Sequence, residues 1–116
     1  MAKITGIGGV FFKANDADSL RKWYADNLGI PVDPHWGGAM YGDTVWTIFK
    51  ADSRKFDPSK QPFMINYRVD DLDAVLAQLR AAGATVDDKV DDTEYGKFGW
   101  AMDPEGNRIE LWEPKE

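Results

Sequence analysis

The chain has 116 residues, a net charge of −6 and no cysteine. A single domain of this size buries about two-thirds of the surface its unfolded chain exposes, and the lack of cysteine excludes a disulfide framework, thiol catalysis and thiolate metal sites. The acidic balance, with a pI near 4.7, repels phosphate backbones, which argues against nucleic acid as a partner and for tolerance of cationic small molecules.

The first element is a strand within "ITGIGGVFFKAND". Its apolar run is too short for a membrane span and meets Lys13 and Asp16 without a small-residue cleavage pattern, so it does not read as a signal peptide. A cytoplasmic protein is the expectation. A helix follows, capped near Asn15 or Asp16. Leu20, Trp23, Tyr24 and Leu28 form its apolar stripe, and Gly29 stands where a left-handed terminator is needed. Short strands are then expected around Val32–Trp36, Ala39–Tyr41 and Thr44–Lys50. Residues 51–62, "ADSRKFDPSKQP", are polar, carry two prolines, and read as a link.

The pattern then repeats. "INYRVDDLDAVLAQLRAAGATVDD" (65–88) parallels "VFFKANDADSLRKWYADNLGIPVD" (10–33): strand, acidic cap, amphipathic stretch, glycine, β-prone run. The second helix is capped near Asp70 or Asp71, carries Leu72, Val75, Leu76, Leu79 and Ala82, and ends at Gly83. Strands are expected around Thr85–Val90, Gly99–Met102 and Arg108–Glu113. "DTEYGKFGW" (92–100) reads as a hairpin or as a lid over a groove. The predicted architecture is α+β: two βαβββ modules, about 1–50 and 63–116, whose sheets combine around a shared groove.

Strand alternation assigns the faces. Val10, Phe12 and Ala14 belong under the first helix, which leaves Gly9, Phe11 and Lys13 toward the groove. Ile65, Tyr67 and Val69 belong under the second, which leaves Met64, Asn66 and Arg68. In the last strand Ile109 and Leu111 are core, and Arg108, Glu110 and Trp112 face the groove. For the strand around Thr44–Lys50, parity alone leaves open whether Val45, Thr47 and Phe49 or Trp46 and Ile48 face it.

Together, "SLRKWYADNLGI", "INYRVDDLDAVLAQLRAAG" and the closing "FGWAMDPEGNRIELWEP" resemble the vicinal oxygen chelate superfamily, which includes glyoxalase I, extradiol dioxygenases, methylmalonyl-CoA epimerase and bleomycin-resistance proteins. The likeness covers essentially the whole chain, and "DPEGNRIELWEP" is its most specific piece. It implies paired modules around a cupped sheet, a homodimer, and in the enzymes a divalent metal held by one ligand from each of four strands. Carried over, those positions fall on Gly9, Thr47, Met64 and Glu110, so one ligand side chain remains. His35, the sole histidine, matches none of them. One carboxylate does not hold a catalytic Zn²⁺, Ni²⁺ or Fe²⁺, which takes about three protein ligands; Mg²⁺, held by few carboxylates plus substrate oxygens, stays open.

The expectation is therefore a small-molecule-binding protein without the usual metal centre or other cofactor, of the bleomycin-resistance kind. A metal-dependent lyase, isomerase or dioxygenase is the alternative. Glu110 is the candidate for catalysis or for contact with a cationic or hydrogen-bonding ligand. Phe11, Phe49, Trp100 and Trp112 are candidate stacking surfaces. Lys13 and Arg68 are candidate anion contacts or counter-ions of Glu110, Asn66 is a candidate hydrogen-bond donor, and Thr47 and Met64 complete the groove.

Overall fold

The computed structural model describes residues 1–115. These form β1 (Ile4–Ala14), α1 (Ala17–Leu28), β2 (Gly38–Tyr41), β3 (Thr44–Lys50), β4 (Phe63–Val69), α2 (Leu72–Ala81), β5 (Asp91–Thr93), β6 (Gly96–Met102) and β7 (Arg108–Pro114). The strands make one curled sheet in the order β2-β3-β1-β4-β7-β6-β5. β1 and β4 meet antiparallel at its middle, each with a parallel neighbour, β3 and β7 respectively. The outer partners of β3 and β7 are antiparallel. The sheet is thus built alike on both sides of the β1–β4 seam. The α+β cupped architecture read from the sequence is the one observed.

Both helices begin at the expected caps. The Asp16 carboxylate accepts the Ser19 N–H at 3.0 Å, and that of Asp71 accepts the Ala74 N–H at 3.1 Å, which satisfies donors that the first helical turn leaves free. Gly29 closes α1 in the left-handed region, with φ +70°. Under α2 the core is aliphatic: Val69, Leu72, Val75, Leu76 and Leu111 are buried together. Gly99 lets the helix approach the sheet, since a Cβ there would meet Leu76 Cδ1 at 3.1 Å. Under α1 the packing is aromatic instead, with Tyr24 edge-on to both Phe12 and Trp46. This settles the parity of β3: Trp46 and Ile48 lie on the helix side, and Val45, Thr47 and Phe49 on the concave side, opposite Gly9, Phe11 and Lys13.

Three segments depart from the sequence reading. Residues 32–36 are irregular and turn rather than strand. Pro31 and Pro34 cannot donate to a ladder, and Asp33 bends the chain by accepting the His35 N–H on its carboxylate at 2.8 Å and the Gly37 N–H on its carbonyl at 2.8 Å. Residues 85–90 keep only an isolated bridge, Val86 to Ala101. Asp87 again makes a local turn, accepting the Lys89 N–H at 2.9 Å, as short acidic side chains do in competition with strand pairing. The strand begins later, as β5. The third departure is the link. Phe56 within it is fully buried and packs on Phe49 with ring centroids 5.1 Å apart, so residues 53–56 lie against the concave side, while Lys60, Gln61 and Pro62 lie near the start of α1.

A cleft on the concave face

Glu110 sits mid-strand in β7, paired with Asn66 of β4 on one side and Trp100 of β6 on the other. Their side chains share the concave face and converge. Asn66 Nδ2 donates to Glu110 Oε1 at 2.6 Å, and Trp100 Nε1 donates to Oε2 at 2.9 Å. Each carboxylate oxygen therefore already holds an N–H. Burial pushes the Glu110 pKa upward, while the Asn66 and Trp100 hydrogen bonds and the charges of Arg108 and Lys55 pull it back.

Asn66 is itself buried, at 2% exposure, and its Oδ1 has no hydrogen-bond partner among the described residues. The amide fits because β1 bulges between Ile7 and Gly9 and residue 8 has no side chain: a Cβ on Gly8 would stand 2.1 Å from Asn66 Oδ1. Of the glycines in "GIGG", Gly8 makes room for the polar floor, and Gly9 makes room for the Phe11 ring, which a Cβ there would meet at 2.8 Å.

Above this floor lies a cleft of about 580 Å³, within the usual range for small-molecule sites, about 300–1,000 Å³. One wall is Phe11 and Phe49, 5.5 Å apart and tilted, with buried Met64 beside them. The other is Trp100, whose ring carries the Arg108 guanidinium at 5.5 Å and the Lys89 ammonium at 5.9 Å. Ser53, Arg54 and Lys55 of the link form the rim. A larger hollow, about 750 Å³, lies at the start of α1 beside Trp23 and Lys60; it lacks the floor of buried, hydrogen-bonded polar groups that marks the cleft.

Of the residues singled out in the sequence, Phe11, Phe49, Met64, Trp100 and Glu110 line this cleft, with Asn66 beneath it. Four do not. Lys13 turns its ammonium onto the Phe56 ring, at 5.1 Å. Thr47 opens on a separate hollow shared with Trp36 and Arg21. Arg68 lies over the Trp112 ring at 4.8 Å and donates to the Asp43 carbonyl at 3.1 Å. Trp112 stacks flat on Phe98, with centroids 5.5 Å apart, and donates to the Tyr95 carbonyl at 2.8 Å, so its ring is already in use. Sequence reasoning missed Arg54, Lys55 and Lys89. For Arg54 and Lys55 the signal was available in Phe56, a large apolar residue inside an otherwise polar link.

The four positions to which the resemblance carries the metal ligands do not offer a donor set that fits a divalent metal. Gly9 offers no side chain, Met64 a buried thioether, and Thr47 a hydroxyl beside Gly38 in the other hollow. Glu110 is hydrogen-bonded through both oxygens. Among the described residues no cluster of three or more His, Cys, Asp or Glu side chains is placed to hold a metal.

The sequence model of the glyoxalase-like domain matches residues 9–112. The chain belongs to the glyoxalase-like domain family. Known structures share its fold. Methylmalonyl-CoA epimerase from Mycobacterium tuberculosis is 21% identical, with a TM-score of 0.71 over 97% of this chain and 90% of that one. The Mn(II)-bound glyoxalase from Novosphingobium aromaticivorans is 22% identical, with a TM-score of 0.68 over 97% of this chain and 40% of that one. A glyoxalase/bleomycin resistance protein/dioxygenase superfamily member from Vibrio splendidus 12B01 is 13% identical, with a TM-score of 0.65 over 97% and 99%. A search of curated proteins returned no match. At these identities the likeness is one of fold. Among the described residues no helix is long and apolar enough to cross a membrane.

Proposed function

We propose that this glyoxalase-like protein binds a small molecule in the concave cleft without a resident divalent metal. The observation that carries the reading is the state of Glu110. Where the family pattern asks for a metal ligand, both carboxylate oxygens are engaged by the neutral donors Asn66 and Trp100. The aromatic wall beside it supplies apolar contact area, and the cleft volume suits a ligand of modest size.

Calorimetric titration of chelator-treated protein with Ni²⁺, Zn²⁺ and Mg²⁺ tests the metal-free part. The expected result is no stoichiometric heat for wild type or for Glu110→Gln. Tight one-to-one binding in wild type that is lost in Glu110→Gln would transfer the protein to the alternative class, a metal-dependent lyase, isomerase or dioxygenase.

We further propose a homodimer. The helices cover Phe12 of β1 and Val69 of β4 but leave a stripe of the β1–β4 seam open on its convex side, where Ile7, Val10 and Phe63 remain 44%, 36% and 40% exposed. A second copy related by a two-fold axis would cover this stripe with the same stripe. Light scattering should give twice the 13.0 kDa chain mass; a monomer at micromolar concentration refutes the dimer.

A further inference from the structure

The charge around the cleft opposes the charge of the whole protein. Arg54, Lys55, Lys89 and Arg108 line it, against two acids, Asp91 and Glu110. Both acids are answered locally: Glu110 by the two N–H donors beneath it, and Asp91 by the Lys89 ammonium at 3.8 Å. The basic groups are answered less completely. Lys55 has no ion-pair partner among the described residues, and the Nε–H of Arg108 is buried without a hydrogen-bond partner among them. Arg108 does meet Asp87, at 3.2 Å, and Arg54 meets Asp57, at 3.1 Å. The cleft lining itself carries four basic groups against two acidic ones; Arg54, Lys55 and Lys89 are exposed at its rim, and Arg108, its side chain 12% exposed, is the one held where salt screens least.

We propose that the cleft selects a small organic acid, an anion whose flat apolar body lies against Phe11 and Phe49 and whose acidic group faces Lys55 in the field of Lys89 and Arg108. This rests on the cleft being the binding site, as above, and adds the class of ligand. A cation, which the net charge of −6 favours, would meet the basic rim first.

Two probes with the same ring and opposite charge make the test: 2-naphthoate and 2-naphthylmethylammonium. Their binding is read from the indole N–H resonances of the five tryptophans, with that of Trp100 assigned by its loss in Trp100→Phe. The expected result is a shift of the Trp100 resonance by naphthoate at concentrations at least about tenfold lower than for the ammonium probe, the size of one charge-assisted hydrogen bond. Lys55 is exposed, so Lys55→Glu keeps the fold, seen as unchanged resonances in the free protein, and should remove the preference. Equal or tighter binding of the ammonium probe overturns the organic-acid inference and leaves the cleft as a binding site. A naphthoate preference untouched by Lys55→Glu also overturns it. No movement of the Trp100 resonance with either probe removes the cleft reading and this inference together.

Discussion

Phe56→Ala is expected to lower stability by about 3–5 kcal/mol, the usual cost of emptying a fully buried phenylalanine site. The side chain has no exposed surface and touches Phe49, which touches Phe11. The cavity would therefore open directly beside the aromatic wall. Against a typical total of about 5–15 kcal/mol this is a large fraction, and thermal unfolding should fall by about 10 °C or more. The same change frees the link that carries Arg54 and Lys55, so 2-naphthoate binding should weaken along with stability, whereas Lys55→Glu weakens binding alone. Denaturant unfolding decides it. A loss under about 1 kcal/mol would mean that Phe56 is not anchored as described and that the rim is not held by it.

The second large effect is Asn66→Asp, with an expected loss of about 3 kcal/mol at pH 7, the scale of leaving a buried charge uncompensated. The introduced carboxyl would face Glu110 at the position where Nδ2 now donates at 2.6 Å, and two carboxylates at that distance push each other's protonation upward. The sign follows from linkage. Burial already raises the Glu110 pKa in the folded state, so its contribution is most favourable below the unfolded value of about 4.3 and is lost as pH rises through the folded value. In the variant both groups behave this way, and one proton shared between them restores a hydrogen bond. The deficit against wild type should therefore shrink toward pH 4 and widen toward pH 7. A deficit independent of pH would show that the two side chains do not titrate against each other.

The parts of the fold that sequence reading reached are those set by local chemistry. Asp16 and Asp71 announce their helices through side-chain caps, and the stripe of Leu72, Val75, Leu76 and Leu79 announces the packed face of α2; of the α1 stripe Tyr24 packs on the sheet, whereas Trp23 and Leu28 stay 51% and 64% exposed. Alternation placed Phe11, Met64, Asn66 and Glu110 on one side of the sheet because each strand reports its own period. What alternation cannot report is which neighbour occupies a side chain once it arrives. Trp112 and Arg68 have the right parity and are consumed by Phe98, Tyr95 and each other. The β-prone runs at 32–36 and 85–90 lost to proline and to aspartate turns, whose short-range hydrogen bonds need no partner strand. The rim was hidden for a different reason. Arg54 and Lys55 look like solvated link residues until the burial of Phe56, a contact between distant parts of the chain, fixes where the link lies.

The curled sheet does not close on itself, so it presents two free edges with unpaired backbone N–H and C=O groups, and the two are not equivalent. At one end β5 is three residues long, two of them acidic, Asp91 and Asp92, and charge on a short strand discourages a second extended chain from pairing there. At the other end β2 is Gly-Ala-Met-Tyr, without a charge, and Met40 and Tyr41 are 49% and 52% exposed. Any intermolecular strand pairing, whether ordered growth of the sheet or the first step of aggregation, meets its weaker guard at β2, the neighbour of β3, which carries the Phe49 wall of the cleft.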